Sequence, residues 1–348
     1  MNIVKTQRKA GYLFIVKNLA FFVQSFKTRG QAGLSLNTFA FTQFISRFMY
    51  LNKFCCLPGI KHFMALLLLG ISLNVTAQTR GNQPSPSLQL NIPALEAPAV
   101  AASPEAGRLA EFISVLAGYQ PGQALAAGIA IPLAYSARDH GQWNNAGDTL
   151  YIWRMSIHAE GAGASGINLL SQMEACAYTE EMPLPDNLAL YVYRPGDEIN
   201  AVNIARGEDF RRKVLVSPVV PGEELIVELS VPKSLAHCRD EFLQTESLIW
   251  LPPDDKNMGS SGDCQVNINC AEGDNWQDQK RGVARMLMRV GSNYFWCSGS
   301  LVNNTAQDAS PLFLSADHCG RDASATDMLY WQFYFNFERP GCSEQGMP

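Results

Sequence analysis

Trp296-Cys297-Ser298-Gly299-Ser300-Leu301-Val302, followed shortly by Phe313-Leu314-Ser315-Ala316-Asp317-His318-Cys319, is the stretch that decides the reading of the fold. The first piece lies in a strand-like run, Tyr294–Val302. The second leaves an apolar run and ends on a histidine between an acid and a cysteine. Cys297 and Cys319 stand 22 positions apart. Val283–Val290 before this stretch and Leu329–Phe337 after it also read as strands. Leu329, Trp331, Phe333, Phe335 and Phe337 repeat every second residue, the period of a strand packing one face on a core. Residues 259–348 therefore read as an all-β unit.

Working toward the amino terminus, Asp254-Asp255-Lys256-Asn257-Met258-Gly259-Ser260-Ser261-Gly262 is polar and reads as a boundary open to proteolysis. Before it the period-two pattern returns. Tyr151, Trp153, Met155 and Ile157 alternate with Ile152, Arg154, Ser156 and His158. Leu188–Tyr193, Lys213–Val216 and Glu224–Val231 are further strand-like runs. Pro185-Asp186, Arg194-Pro195-Gly196 and Val220-Pro221-Gly222 punctuate them. Short strands with frequent turns point to a β-sandwich-like unit over residues 106–255. His158 and His237 lie in this unit, and lone histidines on strands receive no role. Ser103-Pro104-Glu105 opens a short amphipathic helix through Leu109, Phe112, Ile113 and Leu116, and Gly118 ends it. Residues 78–105, with Pro84, Pro86, Pro93, Pro98 and Pro104, read as a Pro-rich linker.

The leader has a different composition. Residues 1–95 contain ten of the 27 Lys and Arg residues and none of the 32 acids; the first acid is Glu96. Phe63–Leu73 is an apolar run of signal-peptide length, too short for a membrane span of about 20 residues. Lys53 and Lys61 precede it, and Val75-Thr76-Ala77 offers small residues for cleavage before Gln78. Residues 49–77 are expected to be a signal peptide with Met49 as the true start, and residues 1–48 a gene-model extension. Export makes disulfides the default for Cys176, Cys238, Cys264, Cys270, Cys297, Cys319 and Cys342. Cys176 and Cys238 could pair, though spacing does not decide it. Seven is an odd number, so one thiol is free or its partner lies elsewhere. The acidic body has no Lys/Arg cluster, which argues against a nucleic-acid partner. No Cys-x-x-Cys or His-x-x-x-His spacing argues for zinc, so neither a metal nor a cofactor is expected.

The Cys297–Val302 and Ser315–Cys319 segments resemble the trypsin-type serine proteases, in which a Cys-Gly-Gly-Ser-Leu-like strand precedes an Ala-Ala-His-Cys-like turn. Gly262-Asp263-Cys264, Cys270–Asp274, Lys280–Ala284, Leu301–Thr305 and Phe335–Phe337 are similar to the bacterial lysyl endopeptidase branch of that family. The likeness spans about residues 260–348, and Trp153–Pro232 resembles the pro-region of such proteins more loosely. The resemblance implies the first, incomplete half of a two-barrel chymotrypsin-like protease domain preceded by a β-rich pro-region. It implies that His318 is the catalytic base. It implies the pairs Cys297–Cys319 and Cys270–Cys342, with Cys264 bonded to a partner missing from this chain. Asp317 stands where the commonest pattern has alanine. Adjacent residues on a turn point different ways, so the triad acid is expected beyond Pro348, as is the serine.

The implied protein is a secreted serine endopeptidase precursor, a zymogen acting on polypeptide substrates. Its own pro-region would be a partner, with no stable membrane association after signal removal, and the chain as given would itself be inactive. The competing reading is a secreted β-rich binding or adhesion protein, or an inactive protease-like module.

Overall fold

A computed structural model of the protein describes residues 2–7, 12–17, 82–93, 95, 99–118, 123–176, 182–253, 266–308, 310–339 and 341–342. The expected signal peptide, its cleavage site, Lys256 and Cys264 lie outside the described residues. Strands β1 (Asn2–Gln7) and β2 (Tyr12–Lys17) form a hairpin within the stretch read as an extension. Next come β3 (Asn82–Gln83) and β4 (Val100–Ala102). A run of ten strands follows: β5 (Leu125–Pro132), β6 (Gln142–Ala146), β7 (Leu150–Ala159), β8 (Ala164–Ser171), β9 (Ala189–Tyr193), β10 (Ala201–Arg206), β11 (Val214–Val216), β12 (Val220–Pro221), β13 (Glu224–Pro232) and β14 (Leu243–Leu251). The last four are β15 (Val283–Val290), β16 (Asn293–Val302), β17 (Leu312–Ala316) and β18 (Gln332–Phe335). The protein is mainly β, as its periodicity indicates. The expected Leu329–Phe337 strand is shorter, because Asp327–Tyr330 forms a 3-10 turn before β18.

Two sheets result. One runs β3-β10-β9-β13-β7-β4, with β6 beside β7; the other runs β1-β2-β17-β16-β5-β14-β8-β11, with β12 on β8 and β15 and β18 on β16's far side. The faces of β7, β9 and β13 meet those of β5, β8 and β14 across a core that includes Trp153, Ile157, Ile167, Leu190, Leu229 and Leu248. The helix Ala106–Ala117 adds Phe112, whose ring meets Trp250 edge-on at 6.4 Å. Glu105, not Ser103, is its N-cap, and Gly118 ends it. Cys176 and Cys238 are joined by a disulfide.

The second sheet carries a second core on its other side. There Ala127, Ala130, Ile249 and Leu251 pack with Leu287, Tyr294, Trp296 and Tyr330. Strand β5 is thus covered on both faces, with Ile129 and Ile131 in one core and Ala127 and Ala130 in the other. That explains a continuous apolar run without alternation, the pattern of a strand buried twice. Strand β16 has room for β5, because β17 pairs only with Gly299–Val302 and leaves Asn293–Trp296 open on that edge. Hence the two β-rich units share one sheet across the polar 254–262 boundary.

Asn82–Pro93, inside the stretch read as a linker, does not behave as a spacer. Asn82 and Gln83 pair with β10, and Ser85 and Ser87 are buried. The Glu228 carboxylate, fully buried on β13, accepts from the Ser87 amide at 2.9 Å, the Ser87 hydroxyl and the Tyr193 hydroxyl at 2.6 Å. Burial, and next the Glu228 charge, push the Tyr193 phenol well above its ordinary range. Arg154, also buried, donates to the Pro93 carbonyl. A buried carboxylate is tolerated only with such donors around it.

Candidate active site

The strand β17 runs straight into a four-residue helical turn, Asp317–Gly320. Its register against β16 is set by packing. Gly299 faces Ser315, and a Cβ at Gly299 would stand 2.3 Å from Phe313 Cε1 and 2.4 Å from the Leu314 carbonyl oxygen. Only glycine fits there, which explains its place in the Cys-Ser-Gly-Ser run. Ser315 Oγ donates to the Ser298 carbonyl at 2.8 Å. Phe313 is fully buried, with its ring 4.9 Å from Phe333 and 6.3 Å from Phe335. On the turn itself, a Cβ at Gly320 would lie 2.9 Å from the Trp331 ring.

Cys297 is bonded to Cys319, and Cys270 to Cys342. The first disulfide ties the middle of β16 to the residue after His318. His318 is exposed between buried Asp317 and buried Cys319. A ring nitrogen of His318 and the sulfurs of Cys297 and Cys319 all lie within 4.8 Å of one another. Two cysteines and a histidine at that distance would suit zinc if the cysteines were thiolates. The disulfide consumes both sulfurs, so the trio makes a fastened imidazole and not a metal centre.

The Asp317 carboxylate is turned to Arg321, with Nε at 2.7 Å and Nη2 at 2.6 Å. This i,i+4 pair spans the turn and engages the acid with Arg321. Among the described residues no carboxylate is paired with His318 and no serine is hydrogen-bonded to it. Sequence reasoning passed over Arg321; the Asp-x-x-x-Arg spacing carried the signal. A cavity elsewhere on this unit is lined by Trp276, Lys280, Val283, Arg285, Phe337 and Glu338 and lies away from His318. Arg285 sits there 3.8 Å from the Trp296 ring centroid and 4.7 Å from that of Phe337. Burial lowers its guanidinium to about 10, with nearby Tyr334 opposing the shift. Lys280 is committed to Glu338 at 2.9 Å. The cavity's lining has no histidine, cysteine or serine.

An antiparallel strand pair, a disulfide joining β16 to the turn that follows β17 and an exposed histidine beside that disulfide make up the site. Residues 258–347 match the family model described as lysyl endopeptidase, C-terminal domain. The chain is also 28% identical over 250 residues to the lysyl endopeptidase of Pseudomonas aeruginosa, covering 68% of this chain and 51% of that protein. It is thus similar to bacterial lysyl endopeptidases, a serine endopeptidase type, and spans about half the length of that relative. No solved structure matches it.

Peptide mapping without reduction should recover Cys297 linked to Cys319. Opening that loop by a Cys297→Ala/Cys319→Ala pair should cost about 3 kcal/mol of stability, mainly by freeing the unfolded chain. Recovery of both as free thiols from oxidised protein would refute the pairing.

Proposed function

We propose that this chain is the front part of the precursor of an exported serine endopeptidase of the lysyl endopeptidase type, with His318 as general base. The exposed imidazole, fastened through Cys319 to β16, is the observation that carries the reading. A serine hydroxyl is a poor nucleophile until an imidazole takes its proton as it attacks the peptide carbonyl. The imidazole then returns that proton to the leaving amine, while a carboxylate on its other nitrogen holds its orientation. Asp317 is engaged with Arg321, so we assign the orienting acid, the nucleophile and the oxyanion donors to segments beyond Pro348. Polypeptides are the substrates. Residues 106–255 act as a pro-region, removed within 254–262, after a signal peptide ending at Ala77 has directed export. The fitted Cys297–Cys319 strand pair favours this reading over an adhesion protein.

The test compares the full-length protein with residues 259–348 on a peptide library containing lysine and arginine, alongside a fluorophosphonate probe for an activated serine. The full-length protein should cleave the library and take the label, and the fragment should do neither. Cleavage by the fragment, or an unlabelled, inactive full-length protein with its pro-region removed, would overturn the proposal.

A further inference from the structure

Three groups able to bind a soft metal ion meet beside the turn after β17. A ring nitrogen of His318 and the sulfurs of Cys297 and Cys319 lie within 4.8 Å of one another. In the oxidised protein they hold no metal, because the bonded sulfurs are not thiolates. Reduction changes the chemistry at this spot and leaves its framework in place. The Cys297–Cys319 bond is not what brings β16 to the turn. Gly299–Val302 of β16 pair with Leu312–Ser315 of β17. Ser315 Oγ donates to the Ser298 carbonyl at 2.8 Å, and Phe313 is fully buried against Gly299. The Asp317–Arg321 pair spans the turn itself. All of these contacts remain when the bond opens.

The dimensions suit zinc. The two cysteine Cα atoms stand 6.1 Å apart. Tetrahedral zinc at about 2.3 Å from each sulfur would hold the sulfurs roughly 3.8 Å apart. Side-chain rotation reaches that spacing from these Cα positions. The imidazole supplies a third ligand and leaves the fourth position to water. Charge balances as well, since two thiolates neutralise the ion and the Asp317 carboxylate is already engaged with Arg321. Access is open: His318 is exposed and Cys297 half-buried, while Cys319 is buried.

We propose that the reduced protein binds zinc through His318, Cys297 and Cys319, a redox-gated metal site built on the same imidazole. The opening step is exchange with an external dithiol. Its thiolate attacks the sulfur of Cys297, the less buried residue, and the Cys319 sulfur leaves as a thiolate. The reductant's second thiol then closes on the first and releases the Cys297 sulfur. Two electrons pass from the dithiol to the cysteine pair, and the dithiol departs as its own cyclic disulfide. Zinc binding sends the remaining thiol protons to water. A zinc-bound imidazole carries its hydrogen on the other nitrogen, so it has no free lone pair and cannot act as a base.

The chain is reduced with dithiothreitol, desalted without air and titrated with Co2+, whose sulfur-to-metal charge-transfer band reports thiolate ligands. The reduced chain should show the band and the oxidised chain none. Cys297→Ser/Cys319→Ser should lose it, and Cys270→Ser/Cys342→Ser should keep it. His318→Ala retains both thiols and alters only an exposed side chain, so it should bind Co2+ roughly a hundredfold more weakly, the share of one ligand in such a set. No band from the reduced chain, a band in the oxidised chain or in Cys297→Ser/Cys319→Ser, or equal affinity in His318→Ala would overturn the proposal. The effect on activity rests on the reading of His318 as base. In the full-length protein, zinc should abolish the activity that remains after reduction, and a chelator should restore it. A full-length protein inactive even when oxidised would fail that reading alone, because the cobalt band does not depend on it.

Discussion

His318→Ala in the full-length protein should remove essentially all peptidase activity, with turnover falling by roughly five to six orders of magnitude. Alanine leaves nothing to take the proton from the attacking hydroxyl or to return it to the leaving amine. The substitution is also mild for the fold. The imidazole is exposed, whereas the groups that secure its turn, Cys319, Gly320 and Asp317, are buried. The Cys297–Cys319 bond and the Asp317–Arg321 pair do not involve it. The loss should therefore come with an unchanged melting temperature and an intact disulfide map. Measuring kcat/KM on a lysine-containing peptide, with thermal unfolding beside it, separates the two effects. An undiminished rate in the folded variant would mean that the base lies elsewhere.

Phe313→Ala should be the largest loss of stability near the site, at roughly 3–5 kcal/mol. Its ring is fully buried and fills the space beside Phe333 and Phe335 that glycine at 299 leaves open. Neither partner can collapse into the gap without pulling β17 and β18 off their registers on β16 and β15. With a urea slope of about 1–3 kcal/mol per molar, the midpoint of the unit containing the Cys297–Cys319 bond should fall by at least about 1 M. The region before the boundary should change little. A shift below about 0.3 M would show that the ring is not part of the core. Phe313→Leu, which keeps most of the volume, should lie between the two.

The histidine turn was legible because its information is local. A glycine forced by a neighbouring ring, a cysteine on β16, a second on the turn after β17 and a histidine beside it all lie within 23 positions of sequence, from Cys297 to Cys319. Other strands were legible too: Val283–Val290 has the expected limits, and Glu224–Val231 extends by one residue to Pro232. Strand β5 was missed because its two faces are both covered, so Leu-Ala-Ala-Gly-Ile-Ala-Ile shows no alternation. The junction of β5 and β14 with β15 and β16 was not legible at all. Asn168 and Tyr294 are 126 positions apart, and Arg289 and Glu246 are 43 apart. Nothing in either local sequence names the other. The acidic neighbour of the histidine had an ambiguous meaning until Arg321 was seen to take its charge.

Hydrophobic periodicity begins with the helix at Ala106, and a chain trimmed to that point would look complete by composition. It would expose the fold to a specific penalty. Residues 82–93 supply two of the three donors that satisfy Glu228, and Pro93 takes a bond from buried Arg154. Without them a carboxylate inside the protein keeps only the Tyr193 hydroxyl, and a guanidinium beside it loses its acceptor. The chain would then have to admit water or a proton to that interior, loosening β13 between β7 and β9. A stretch of prolines and serines, poor in large apolar groups, thus serves as the inner lining of a charged pocket. A trimmed form of this chain must therefore keep the residues that neutralise its buried charge.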